Sequence, residues 1–110
     1  MRVISGKARG RKLSAPEGLD VRPTLDRVKE SLFSSLMPYL VNAVVLDLFS
    51  GSGALGIEAL SRGAAFCDFV DASNKSLAVT RNNLSATHLE EYAAAHLSDW
   101  KAFLKRTERK

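Results

Sequence analysis

Two aspartates and a glycine loop are spaced for binding chemistry: Asp47, then Gly51-x-Gly53-x-x-Gly56, then Asp71. Gly51 and Gly53 let a backbone turn sharply and approach a ligand, and Gly56 lets the following helix pack closely on a strand. The start of that helix aims unpaired N–H groups at whatever binds, with Phe49, Ser50, Ser52 and their neighbours lining the turn. Asp47 stands four residues before Gly51, where a dinucleotide site runs apolar residues straight into its first glycine. A carboxylate there suits a ligand that carries an ammonium group. Asp71 lies at the distance, about twenty residues on, from which an acid accepts from ribose hydroxyls. An amino-acid ammonium plus a ribose describes S-adenosyl-L-methionine better than NAD. The alternative is a strand-end carboxylate and a helix cap.

These residues need particular elements to hold them. Val44-Val45-Leu46-Asp47-Leu48-Phe49 reads as a buried parallel strand, and a helix follows the loop to Arg62, with Gly63 as its stop. Phe66-Cys67-Asp68-Phe69-Val70 is a second strand ending at Asp71. Ser73 caps a helix to about Ser85 that turns Leu77, Ala78 and Leu84 inward. Residues Glu90 to Leu97 are alanine-rich, but a βαβαβ repeat calls for a strand there, and a strand is expected. Asp99 and Trp100 open a last helix, where Trp100 either flanks an adenine ring or packs.

Upstream, Arg2 to Leu13 reads as a hairpin in which Lys7, Arg9 and Arg11 alternate onto one strand face, a cationic ladder for phosphates. Arg22-Pro23-Thr24 introduces a helix with Thr24 as N-cap. Leu25, Val28, Leu32 and Leu36 form its apolar face, Pro38 ends it, and Arg22, Arg27 and Lys29 remain for solvent or ligand.

A chain of 110 residues is one small domain at most. Its single cysteine, Cys67, excludes an internal disulfide, no Cys/His cluster has metal-ligand spacing, and no apolar run reaches membrane-spanning length. A soluble cytoplasmic protein without a metal is expected. His88 and His96 have no neighbour that suggests a base or a ligand and read as solvated or satisfied. The net charge of +4 is clustered: Arg2, Lys7, Arg9, Arg11 and Lys12 precede the first acid, and Lys101, Lys105, Arg106, Arg109 and Lys110 close the chain. Such clusters suit a polyanion, nucleic acid first, although on charge alone a solvated surface is the favoured reading.

Three stretches resemble the RsmD-type 16S rRNA guanine-N2 methyltransferases, a class I S-adenosylmethionine-dependent family: the basic opening 2–13, the Arg-Pro-Thr helix 22–33 and the glycine motif 45–56. The resemblance implies an α/β, Rossmann-like fold, here an N-terminal hairpin and helix (1–40, facing RNA) and the first three βα units of the cofactor domain (41–110). It implies that Asp47, Gly51, Ser52 and Gly53 hold the methionine moiety and that Asp71, with Ala72 and Ser73 beside it, takes the ribose. Asp99 and Trp100 would lie at the adenine, Thr24 and Arg27 would close the site, and Lys7, Arg9, Arg11, Lys12 and Arg22 would engage rRNA or a small-subunit assembly particle.

Exocyclic-amine methyltransferases also carry an Asp/Asn-Pro-Pro-Tyr motif, whereas this chain has only Pro16, Pro23 and Pro38. The chain therefore reads as the first part of a longer enzyme, with no catalytic residue of its own and without activity alone. The motif strand, central in that class, would then be an apolar edge open to self-association. A DNA adenine-N6 methyltransferase, an NAD-dependent oxidoreductase domain and a non-catalytic RNA-binding module are the alternatives.

Overall fold

Short apolar runs separated by helix-forming stretches build a parallel sheet with a helix in each crossover. The computed structural model describes residues 2–14, 23–48 and 50–108. Helix α1 (Pro23–Leu40) leads into β1 (Val44–Asp47), α2 (Ala54–Ser61), β2 (Phe66–Asp71) and α3 (Asn74–Ala86). A single 3-10 turn (Glu90–Tyr92), β3 (Ala93–Leu97) and α4 (Trp100–Glu108) follow. The strands lie in the order β1-β2-β3, all parallel, with Val45 opposite Cys67 and Cys67 opposite Ala93. This is the expected Rossmann-like half-sheet, and the strand expected over Glu90 to Leu97 is present from Ala93 on, its first three residues forming the 3-10 turn instead. Asp47, Asp71 and the Ser98–Asp99 turn all stand at or just past the C-terminal ends of the strands, where open α/β sheets bind ligands.

Tight packing of α2 on the sheet fixes the glycine loop. A methyl group on Gly56 would run into the Phe69 ring and the Cys67 sulfur, so only glycine allows this approach. Ile57, Leu60, Phe69 and Cys67 are fully buried around it. Each large side chain sealed in this way contributes about 1.5–3 kcal/mol. The opposite face of the sheet carries Asp68 and His96. Together with Val44, Leu46, Phe103 and Arg106, these line a cavity of about 360 Å3. His96 Nε2 lies 2.8 Å from Asp68 Oδ1 and its ring packs against Phe103, so His96 has the partner that its sequence neighbours did not suggest.

Helix α1 corrects three expectations. Its inward face is Lys29, Phe33 and Leu40, whereas Val28, Leu32 and Leu36 are 60%, 46% and 37% exposed. Lys29 turns in because an acid, Glu58, waits for its ammonium group, as described below. The helix runs through Pro38 to Leu40, since a proline in the final turn forfeits only one backbone hydrogen bond. It also starts at Pro23, a residue suited to the first helical position, which leaves Thr24 inside the first turn rather than at the cap. Arg22, Phe49 and the side chain of Thr24 lie outside the described residues.

The N-terminal arm corrects another. Residues 7–10 form consecutive turns, with Arg9 N donating to Gly6 O and Arg11 N to Ala8 O, so Lys7, Arg9 and Arg11 do not share a strand face. One antiparallel bridge, Arg2 to Lys12, closes the loop. Val3, Ala8 and Leu13 point inward and all four cations from Lys7 to Lys12 remain exposed. The arm bends because its backbone is drawn onto α2: Lys7 N donates to Ser61 O and Ala8 N to Ser61 Oγ, each at 2.9 Å.

Candidate functional site

The glycine loop is held from behind. Ser50 N donates to Val70 O, which keeps the loop against the end of β2, and Gly53 N donates to Ser50 O. Thr80 Oγ1 donates to Gly51 O at 2.8 Å, so the Ser50 hydroxyl, 3.3 Å away, must donate to Thr80. Asn83 Nδ2 donates to Ser52 O at 2.8 Å. Gly51 and Gly53 have φ of 53° and 80°, the left-handed region in which a side chain is strained. The carbonyls of Ser50, Gly51 and Ser52 are thus all engaged internally, which holds the loop from behind in this structure.

Its front is open and acidic. Among the described residues, Gly51's two chain neighbours aside, nothing lies within 4 Å of where a Gly51 side chain would begin, which leaves room for a ligand against bare backbone. Gly51 N donates to Asp71 Oδ2 at 3.0 Å, and Asp71 Oδ1 accepts from Ser73 N at 2.8 Å. Asp71 thus joins the loop to the start of α3, where Ser73 Oγ caps the helix by accepting from Ser76 N. Ala72 and Ser73 are exposed beside it. Asp47 ends β1 with its Oδ2 shielded from solvent. Ser98 N donates to Asp71 O, which fixes the end of β3 next to the same acid. Asp99 caps α4, its Oδ1 accepting from Lys101 N and Ala102 N, and Trp100 is 40% exposed under the Lys101 ammonium.

The structure therefore gathers Asp47, Ser50 to Gly53, Asp71 to Ser73 and Asp99 at one end of the sheet, while Arg27 is exposed on α1. Each carboxylate oxygen of Asp71 accepts one backbone bond and keeps a lone-pair sector for a ligand hydroxyl. An amine and a diol are the groups this arrangement can recognise. Cys67 brings no nucleophile, since burial pushes its thiol far above the ordinary thiol range and Asp47 and Asp68 add to the effect. Among the described residues no group of three or more His, Cys, Asp or Glu is placed to hold a metal ion. No helix among them is long and apolar enough to cross a membrane.

Several residues that matter were not legible in advance. Thr80 and Asn83 are fully buried and hold the loop, whereas Ala78, expected inward, is exposed. Their signal was present as polar residues at helical spacing between Leu77 and Leu84. Glu58, 0% exposed, is the anchor of the arm. It accepts from Ile4 N at 2.9 Å and Ser5 N at 3.1 Å, and pairs with Arg62 Nε at 2.8 Å and Lys29 Nζ at 3.5 Å. Lys29, expected to be available to solvent or ligand, is instead buried and also donates to Arg2 O. Lys7 holds its ammonium 4.8 Å over the Tyr92 ring.

Comparison with known proteins agrees with this architecture. A family model described as "Conserved hypothetical protein 95" matches residues 1–110. YlbH of Bacillus subtilis is 48% identical over 99 residues, covering 90% of this chain and 54% of that protein. Ribosomal RNA small subunit methyltransferase D of Escherichia coli K12 is 54% identical over 71 residues, 64% of this chain and 36% of that one. The solved structure of Escherichia coli yhhF superposes with a TM-score of 0.83 at 45% identity, over 94% of this chain and 56% of that chain. The chain thus spans about half the length, or less, of the relatives it matches.

Proposed function

The chain belongs to the conserved hypothetical protein 95 family, and from that premise we propose that it is the cofactor-holding part of an S-adenosylmethionine-dependent rRNA methyltransferase. The substrate we infer is an exocyclic amine of guanine, N2, in the 16S rRNA of the small ribosomal subunit, within the cytoplasm. Residues 41–110 hold the cofactor and residues 1–40 face the RNA. The relative named ribosomal RNA small subunit methyltransferase D supports the substrate class, and a SAM-dependent methyltransferase of Agrobacterium tumefaciens, 28% identical with a TM-score of 0.67, supports the cofactor.

The observation that carries the reading is the Asp71 carboxylate bonded to Gly51 N beside open space. In this proposal Asp71 accepts from the ribose hydroxyls, and Asp47 accepts from the amino group across the loop. The Gly51–Gly53 backbone lies along the methionine moiety, and Trp100 and Asp99 lie at the adenine. When bound, S-adenosylmethionine supplies a methyl group made electrophilic by its sulfonium. The residues of this chain bind and orient it. Orientation and exclusion of water, rather than a strong base, would then carry the rate. Arg9, Arg11 and Lys12 supply phosphate contacts that position RNA without reading its sequence. With no Asp/Asn-Pro-Pro-Tyr stretch to hold the target amine, these 110 residues bind but do not transfer.

Calorimetric titration tests the reading. S-adenosylhomocysteine is expected to bind in the micromolar range, with Asp71→Ala weakening it at least tenfold, about 1.4 kcal/mol. Binding of NADH without binding of S-adenosylhomocysteine would sink the proposal.

A further inference from the structure

Asn83 touches two parts of the molecule that the proposed function keeps separate. Its side chain is 2% exposed, and every polar group on it is used. Oδ1 accepts from Ser14 N at 2.7 Å, while Nδ2 donates to Ser14 O at 2.9 Å and to Ser52 O at 2.8 Å. The amide has only one workable orientation, because turning it over would press its oxygen against two carbonyl oxygens. Ser14 closes the basic arm, two residues after Lys12. Ser52 sits in the glycine loop between Gly51, whose carbonyl Thr80 holds, and Gly53. One side chain thus spans the arm and the loop.

The opposite end of the arm is fixed to the same unit. Ile4 N and Ser5 N are bound to Glu58 of α2, the helix that the loop begins. The arm is therefore clamped at its start to the helix and at its end to the loop.

We propose that Asn83 is a positioning residue that couples the glycine loop to the basic arm, so that a ligand at the loop strengthens RNA binding by Arg9, Arg11 and Lys12, and RNA strengthens binding at the loop. Such coupling is reciprocal by thermodynamic necessity. The inference rests on the function proposed above. It goes beyond it by assigning one buried amide the work of fixing the distance between phosphate chain and cofactor. Asn83→Asp tests this role, since a carboxylate still accepts from Ser14 N but turns its second oxygen against the two carbonyls in place of a donor.

The experiment measures the affinity of this chain for a short single-stranded RNA with and without saturating S-adenosylhomocysteine, at fixed salt. The unaltered chain is expected to bind RNA about fivefold or more tightly when the ligand is present, the lower end of ordinary coupling. Asn83→Asp should bring that ratio to about one while RNA alone still binds within about threefold, a loss that mere destabilisation would not produce. An undiminished ratio in Asn83→Asp overturns the inference. So does a ratio of one in the unaltered chain when both ligands bind, an outcome that leaves the methyltransferase reading standing. No binding of S-adenosylhomocysteine to the unaltered chain overturns that reading and this inference with it. If Asn83→Asp does not fold, hydrogen exchange at the Ser14 amide of the unaltered chain decides. Slowing on addition of S-adenosylhomocysteine supports the coupling, and an unchanged rate overturns it.

Discussion

At the scale of single residues, the decisive feature is Glu58, a fully buried carboxylate held by two cations and two backbone amides. A buried ion cluster contributes little net stability over an apolar replacement, but removing one member leaves the others charged and unpaired. Glu58→Gln keeps the volume and removes the charge from Lys29 and Arg62. It is expected to cost about 3 kcal/mol, read as a lower urea midpoint. A change below about 1 kcal/mol would mean that water reaches the cluster after substitution. Sequence inspection could place Glu58 on a helix but could not reveal its partners, because Ile4 and Lys29 are remote along the chain.

At the scale of elements, the contact between α2 and β2 sets the position of the loop. Gly56 faces the Phe69 ring and the Cys67 sulfur at a distance that admits no side chain. Both neighbours are fully buried and cannot swing aside. Gly56→Ala should therefore push α2 off the sheet and cost about 1–3 kcal/mol by overpacking. The affinity for S-adenosylhomocysteine should fall with stability because the loop moves with its helix. Retained stability and retained affinity together would show that the sheet yields at this point. Helix α1 shows the limit of periodicity at the same scale. It carries two apolar rows, Val28-Leu32-Leu36 and Phe33-Met37-Leu40, and spacing alone cannot say which one turns inward. The acid waiting for Lys29 chose the second.

At the scale of the whole molecule, β1 is an edge strand of the sheet among the described residues. Val44 is 74% exposed and Leu46 42% exposed on this edge. Beside it, Phe33, Leu36, Leu40, Val45, Leu48 and Leu55 line an apolar hollow. An uncovered apolar edge strand is a template for pairing with another chain. We expect the 110-residue chain to self-associate in sedimentation equilibrium, with Leu46→Lys shifting it towards monomer. A monomer at high concentration would contradict this.

The sequence alone determined the strand, loop and helix around Gly51, the acids at Asp47 and Asp71, and the three-unit α/β plan. Those features are written in local spacing, which follows directly from backbone geometry. Tertiary structure alone decided the rest: which face of α1 is buried, why the arm is bent rather than extended, and why Thr80 and Asn83 face the loop. Each depends on a hydrogen bond or ion pair between residues far apart in the chain, such as Asn83 with Ser14, Ser61 with Ala8 and Glu58 with Lys29. A buried polar group goes where its partner is, and no local pattern records that address.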